Sequence, residues 1–191
     1  MIATVLLHQS AGEKRINIVQ GQHHVDDNPE TVITTILGSC IAACIWDPAS
    51  GLGGMNHFLL PGESLTNGHV SKGQAQRYGV HLMELLINDL LRRGALKSAL
   101  RAKLFGGACM IKGLSDIGSM NAAFAEKFLK EEGIELVGGS LRGNLGRRVQ
   151  FWPVGGRARQ AFLSKETDSI LRDESTRQPA PPSEAGSVEL F

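Results

Sequence analysis

No stretch of this sequence approaches the ~20 consecutive apolar residues of a membrane-spanning helix. Its N-terminus, MIATVLLHQS, has neither the positive segment nor the apolar length of a secretory signal. Cysteine is scarce. Three cysteines cannot all pair within one chain, and Cys40-x3-Cys44 is not a zinc spacing. Reduced thiols and a cytoplasmic location are the simplest reading, with no metal site and no cofactor expected. Charge of one sign is missing too: the net charge is +1, which gives no case for nucleic acid or direct membrane insertion. Phosphate-cradling loops are also absent. Neither Gly106-Gly107 nor the glycine-rich residues 138–146 read GxxxxGK[ST] or open a helix in the required way.

What is there fits one globular domain in 191 residues, with ordinary apolar and charged fractions. The domain is expected to span residues 1–163. Residues 164–191 are rich in Pro, Ser, Glu and Asp and hold 3 Lys/Arg against 6 Asp/Glu. That composition cannot build a core and predicts a disordered acidic tail. Within the domain, residues 14–20 alternate as a half-buried strand, and residues 22–30, with His23 and His24, read as a solvated loop. Residues 31–37 form a β-branched strand. Gly38-Ser39 breaks it, and residues 40–46 resume as a run buried on both faces. Residues 52–60 form a third strand, and the three together suggest a largely antiparallel sheet. From Gln74 the apolar period becomes helical through Leu91, with Gly94 as the stop; residues 121–132 repeat the pattern before Gly133. Residues 134–137 add a strand, and residues 147–152 and 157–162 a terminal strand pair.

Two residues stand out for chemistry. Cys44 sits mid-strand in an apolar run, where packing is the natural role. Cys40 follows Gly38-Ser39, where a bend can lift a thiol into a cleft and aim backbone N–H groups at it. It can be a nucleophile or one more buried thiol. His57 lies on the strand beside it, and neighbouring strands are ~5 Å apart. Arg142, Arg147 and Arg148, with Arg157 and Arg159, are either a solvated basic face or a dock for an acidic partner.

These motifs together resemble the CheD family of chemoreceptor glutamine deamidases. The resemblance runs from about Val32 to Arg159. It rests on Thr34…Leu37-Gly38-Ser39-Cys40, Gly54-Met55-x-His57 and Leu60-Pro61, with Phe105-Gly106-Gly107-Ala108 and Ile117-Gly118…Asn121 in support. It implies an α/β (α+β) layered sandwich of mixed, largely antiparallel sheet with flanking helices, similar to the catalytic domain of deamidating bacterial toxins. It implies hydrolysis of receptor glutamine amides to glutamates, tuning chemotactic adaptation. Cys40 would be the nucleophile, His57 its base and Thr34 the orienting hydroxyl, with Gly38 and Ser39 shaping an oxyanion site. A thiolate held ionised by His57 is the expected resting state. Methyl-accepting receptor helices are the implied partners, and the CheC phosphatase where one exists. The competing readings are a receptor- or phosphatase-binding module without chemistry, and a structural protein with three buried thiols.

Ending the chain near Lys165 removes no patterned segment, so the melting temperature should match that of the full chain. A large drop in a thermal melt would show that Ile170, Leu171 or Leu190-Phe191 packs on the body.

Overall fold

The computed structural model describes residues 12–60, 72–109 and 117–163. The acidic tail expected from residue 164 lies outside them. In chain order the elements are β1 (Lys14–Asn17), β2 (His23–Asp26), β3 (Thr31–Leu37), β4 (Ile41–Asp47) and β5 (Leu52–Asn56). Then come α1 (Lys72–Arg92), β6 (Arg101–Gly106), α2 (Ile117–Glu131), β7 (Glu135–Leu141), β8 (Arg147–Trp152) and β9 (Arg157–Phe162). The strands form two sheets, ordered β1-β3-β8-β9 and β2-β5-β4-β6-β7. Two pairings, β1 with β3 and β6 with β7, are parallel and the rest antiparallel.

Strand alternation builds two apolar layers. Ile33, Leu37, Val149 and Phe151 of the first sheet meet Ala42, Cys44, Trp46, Met55 and Phe105 of the second. The opposite face of the second sheet, with Val25, Ile41, Ala43, Ile45 and Leu104, packs on α1 and α2. The result is a sheet–sheet–helix sandwich, the mixed α+β layering that the sequence suggests. β4 is buried along its whole length because it is central in the sheet covered on both faces.

Both helices stop where glycine predicts. Ala95 N–H donates to Leu90 O at 3.1 Å and Gly94 N–H to Leu91 O at 3.0 Å, a Schellman cap; Ile134 and Gly133 repeat it at the end of α2. Three expectations change. β3 and β4 do not pair: they belong to different sheets, and residues 38–40 carry the chain between them. Residues 22–30 contain β2, because Val25 is an apolar residue buried against the helices. Glycine-rich residues 138–141 belong to β7, where Gly139 passes too close to Leu104 backbone for any side chain.

Arg147 locks the sheets together. It is 1% exposed, and its guanidinium donates to Ser140 O at 2.5 Å, to Ser140 Oγ at 3.0 Å and to Arg142 O. The Phe162 ring lies 5.3 Å from it. One side chain of β8 thus satisfies carbonyls of β7 and the connection after it. Arg147→Ala would leave those groups without donors and open a void, costing about 3 kcal/mol or more. Arg148→Ala, on an exposed position, should stay within about 0.5 kcal/mol of the parent. Urea denaturation of the two variants checks the contrast; equal stabilities would refute it.

Candidate active site

The site sits where the chain passes from one sheet to the other. β3 ends at Leu37, β4 begins at Ile41, and Cys40 is the last residue of the crossing. Two backbone bonds from the β6–α2 connection pin that crossing: Gly107 N–H donates to Cys40 O at 2.8 Å and Ala108 N–H to Gly38 O at 2.9 Å. Gly106 has φ 111°, and a side chain there would collide with the Cys40 carbonyl. From α2, the fully buried Asn121 reaches across. Its Nδ2 donates to Ser39 O at 2.9 Å, while its Oδ1 accepts Leu60 N–H at 3.1 Å. Since a trans peptide points C=O and N–H in opposite directions, holding Ser39 O turns the Cys40 N–H away from Asn121. That N–H lies beside its own sulfur.

His57 comes from the second sheet. β4 and β5 pair with Cys44 opposite Met55, and an isolated bridge joins Ile41 to Phe58. Continuing that register sets His57 opposite Ala42. Cys40, two residues back on the face that packs with Ala42 and Cys44, is then its diagonal neighbour, about 7–8 Å away between Cα atoms and within side-chain reach.

The hydroxyl that lies against His57 is that of Thr35; the hydroxyl of Thr34, expected there from the family resemblance, is not placed at the imidazole. Thr35 Oγ1 lies 2.8 Å from His57 Nδ1 and 2.8 Å from Ile18 O. Thr34 is one residue away on a strand, so its side chain points to the other face of the sheet; it contributes its carbonyl, which accepts Ile18 N–H at 3.0 Å. The proton count then fixes the imidazole. A threonine hydroxyl has one proton, and a backbone carbonyl can only accept, so that proton goes to Ile18 O. Thr35 therefore accepts from Nδ1–H, leaving the lone pair on Nε2. His57 Nε2 is buried and has no hydrogen-bond partner.

Burial holds both reactive groups neutral. It pushes the Cys40 thiol up to about 12, only partly offset by the Cys40 N–H, and the His57 imidazole down to about 4. The expected resting thiolate is thus not what these surroundings favour, because nothing nearby compensates the desolvation of an ion pair. The half-buried Cys40 instead donates its Sγ–H to Gln20 Oε1 at 3.8 Å. Gln20 has no sequence signal: a glutamine on a turn looks like any solvated loop residue.

The other candidates fall apart spatially. Cys44 is wholly buried, with a thiol that burial pushes far up, and Cys109 is half-buried. Arg147 is interior, so it offers no docking charge. Arg142 is bound to Glu126 through Nη1 at 3.1 Å and Nη2 at 2.7 Å. Arg148 alone of that trio stays on an exposed position without a role in the packing. His23 and His24 face carboxylates, Asp89 at 3.6 Å and Asp26 at 3.5 Å. Among the described residues no helix is long and apolar enough to cross a membrane.

A thiol, an imidazole with its Nε2 lone pair free and a hydroxyl behind it, set at the junction of a two-sheet sandwich, are the equipment of thiol-dependent acyl chemistry. A family model described as CheD chemotactic sensory transduction matches residues 59–161. A probable chemoreceptor glutamine deamidase CheD of Acidiphilium cryptum is 61% identical, over 93% of this chain and 94% of its own. That of Agrobacterium fabrum is 53% identical over 95% and 98%. This chain belongs to the CheD family. Among solved structures, a Bacillus licheniformis hypothetical protein, YfiH, matches with TM-score 0.40 and 12% identity over 69% of this chain and 60% of that one. A Neisseria meningitidis DUF152 protein matches with TM-score 0.38 and 13% identity, over 64% and 52%. Likeness at that level says nothing about activity.

The imidazole gives the fold a pH signature. In the unfolded chain it titrates near its ordinary 6.5, in the fold near about 4. Between those values the unfolded chain binds a proton that the fold refuses. Stability should therefore fall as pH drops from about 6.5 to about 4, by up to about 3 kcal/mol. Chemical denaturation at pH steps across that window should show the slope in the parent and a shallower one in His57→Gln. Identical slopes would place the titrating group elsewhere.

Proposed function

We propose that this protein hydrolyses side-chain amides of glutamines on chemotaxis receptors, converting them to glutamates and releasing ammonia. The observation that carries this reading is the buried, unpartnered His57 Nε2, set diagonally across the strands from Cys40. A buried polar atom without a partner costs free energy, and a proton passed from the thiol supplies what Nε2 lacks. The relatives at 61% and 53% identity carry the matching name.

The chemistry runs from a neutral pair. A substrate glutamine displaces Gln20 from the thiol. His57 Nε2 takes the Sγ proton as sulfur attacks the amide carbon, so the thiolate exists only as the bond forms. The Cys40 N–H, directed by the Asn121–Ser39 bond, donates to the developing oxyanion. The imidazolium then gives its proton to the departing ammonia, leaving a thioester. Water, deprotonated by His57, hydrolyses the thioester to glutamate and restores the thiol. Thr35 keeps the imidazole in the tautomer that this sequence of transfers requires. A neutral hydroxyl stabilises imidazolium less than a carboxylate does, so turnover should be modest. Such conversion would tune receptor adaptation, and a CheC-type phosphatase is the further partner that the family resemblance implies.

Cys40→Ser should abolish deamidation of a receptor cytoplasmic fragment, read as the amide-to-acid mass increase, while Cys44→Ser keeps most activity and loses stability. Thr35→Val should lower kcat at least tenfold, with little change in KM, by freeing the imidazole to rotate. Thr34→Val should stay within a few-fold of the parent. Full deamidation by Cys40→Ser would refute Cys40 as the nucleophile, and a parent protein that leaves the fragment unchanged would make a binding module the better reading. Equal effects at the two threonines would overturn the assignment of Thr35.

A further inference from the structure

One side-chain amide of the substrate class already lies at the thiol. Gln20 Oε1 accepts the Cys40 Sγ–H at 3.8 Å, so the carbonyl of a glutamine carboxamide is in contact with the nucleophilic sulfur. The contact is not the chance reach of a free side chain. Residues 19–22 form a turn closed by Gln22 N–H donating to Val19 O at 3.0 Å, with Gly21 at φ 84°. That is a type II turn, which needs a left-handed third residue and sets Gln20 at its outer corner. Two bonds then fasten the turn to the backbone of His57: Gly21 N–H to His57 O at 2.8 Å and His57 N–H to Gln22 O at 3.0 Å. The neighbouring amide is used differently, since Gln22 Oε1 accepts Val19 N–H at 3.1 Å and helps close the turn. The fold thus ties one glutamine to the nucleophile and base, and commits the next to its own backbone.

We propose that Gln20 is a self-modification site, deamidated to glutamate by Cys40 of the same chain. The inference rests on the deamidase reading above. The balance is that of the intermolecular reaction. Sulfur bonds to the Gln20 Cδ while its proton passes to His57. The C–N bond then breaks and ammonia leaves with that proton. Water cleaves the resulting thioester, leaving a carboxylate at position 20 and a free thiol. Tethering replaces an encounter with a unimolecular step, so even a poorly aligned glutamine is turned over at length. The product would place a carboxylate beside the thiol, which opposes formation of thiolate and favours imidazolium. A chain so modified would have a different pH profile from a fresh one.

The test compares the full chain with Cys40→Ser and Cys40→Ala, each shown to be folded by its thermal melt. Peptide mass spectrometry follows positions 20 and 22 over time, while parallel tubes contain a receptor cytoplasmic fragment. The expected result is acid at position 20 in the parent, loss of that conversion in both variants, and an intact amide at Gln22 throughout. Retention of the Gln20 amide while the fragment is deamidated would overturn this inference and leave the deamidase reading standing. Equal conversion in the Cys40 variants, or at Gln22, would show spontaneous hydrolysis and also overturn it. If neither Gln20 nor the fragment changes, the deamidase reading falls and this inference falls with it.

Discussion

Residues 38–40 must carry the chain out of one sheet and into the other, and the site depends on that crossing. β3 and β4 follow one another in sequence yet pack face to face instead of pairing. Thr35 therefore reaches His57 across the layer between sheets, and Cys40 stands at its rim. A crossing this short exposes backbone that neither sheet can satisfy. Gly107, Ala108 and Asn121 supply the missing donors, to Cys40 O, Gly38 O and Ser39 O. One of those bonds, from Asn121 to Ser39 O, also sets the direction of the Cys40 N–H, because the two groups share a peptide unit. Folding and site geometry are met by one set of contacts.

The layer between the sheets is also what sets the protonation states. Its walls are apolar, with Ile33, Leu37, Met55 and Phe151 among them, so a charge on either reactive group loses hydration without gaining an ionic partner. A carboxylate behind His57 would reverse that by stabilising imidazolium. Thr35 supplies a hydrogen bond without charge, and the imidazole stays neutral with the lone pair of its buried Nε2 unpartnered.

Much of this was legible from residues alone. The helical period from Gln74 and the two terminal glycines located both helices, and the β8–β9 pair has the bounds expected of the terminal strand pair. Cys44 was separable from Cys40 because a residue inside an apolar run and one after a Gly-Ser bend face different surroundings. The pairing of β2 was not legible. Four residues with one buried valine carry too little pattern to stand out from a polar loop.

The sequence by itself determined both helices and most of the strands, where the chain bends, and that a thiol and an imidazole flank the bend. Tertiary structure alone decided which hydroxyl lies against the imidazole. β3 is buried on both faces, so Thr34 and Thr35 look alike in any burial pattern; alternation says that they point opposite ways, and only the second sheet says which way is inward. The same holds for the arginines, where adjacent residues on β8 became an interior clamp at Arg147 and a surface charge at Arg148. Gln20 reached the thiol through a turn fastened to His57, a contact between segments far apart in sequence. Side-chain direction is a local property, but what it points at is set by the layer opposite, and no local pattern encodes that layer.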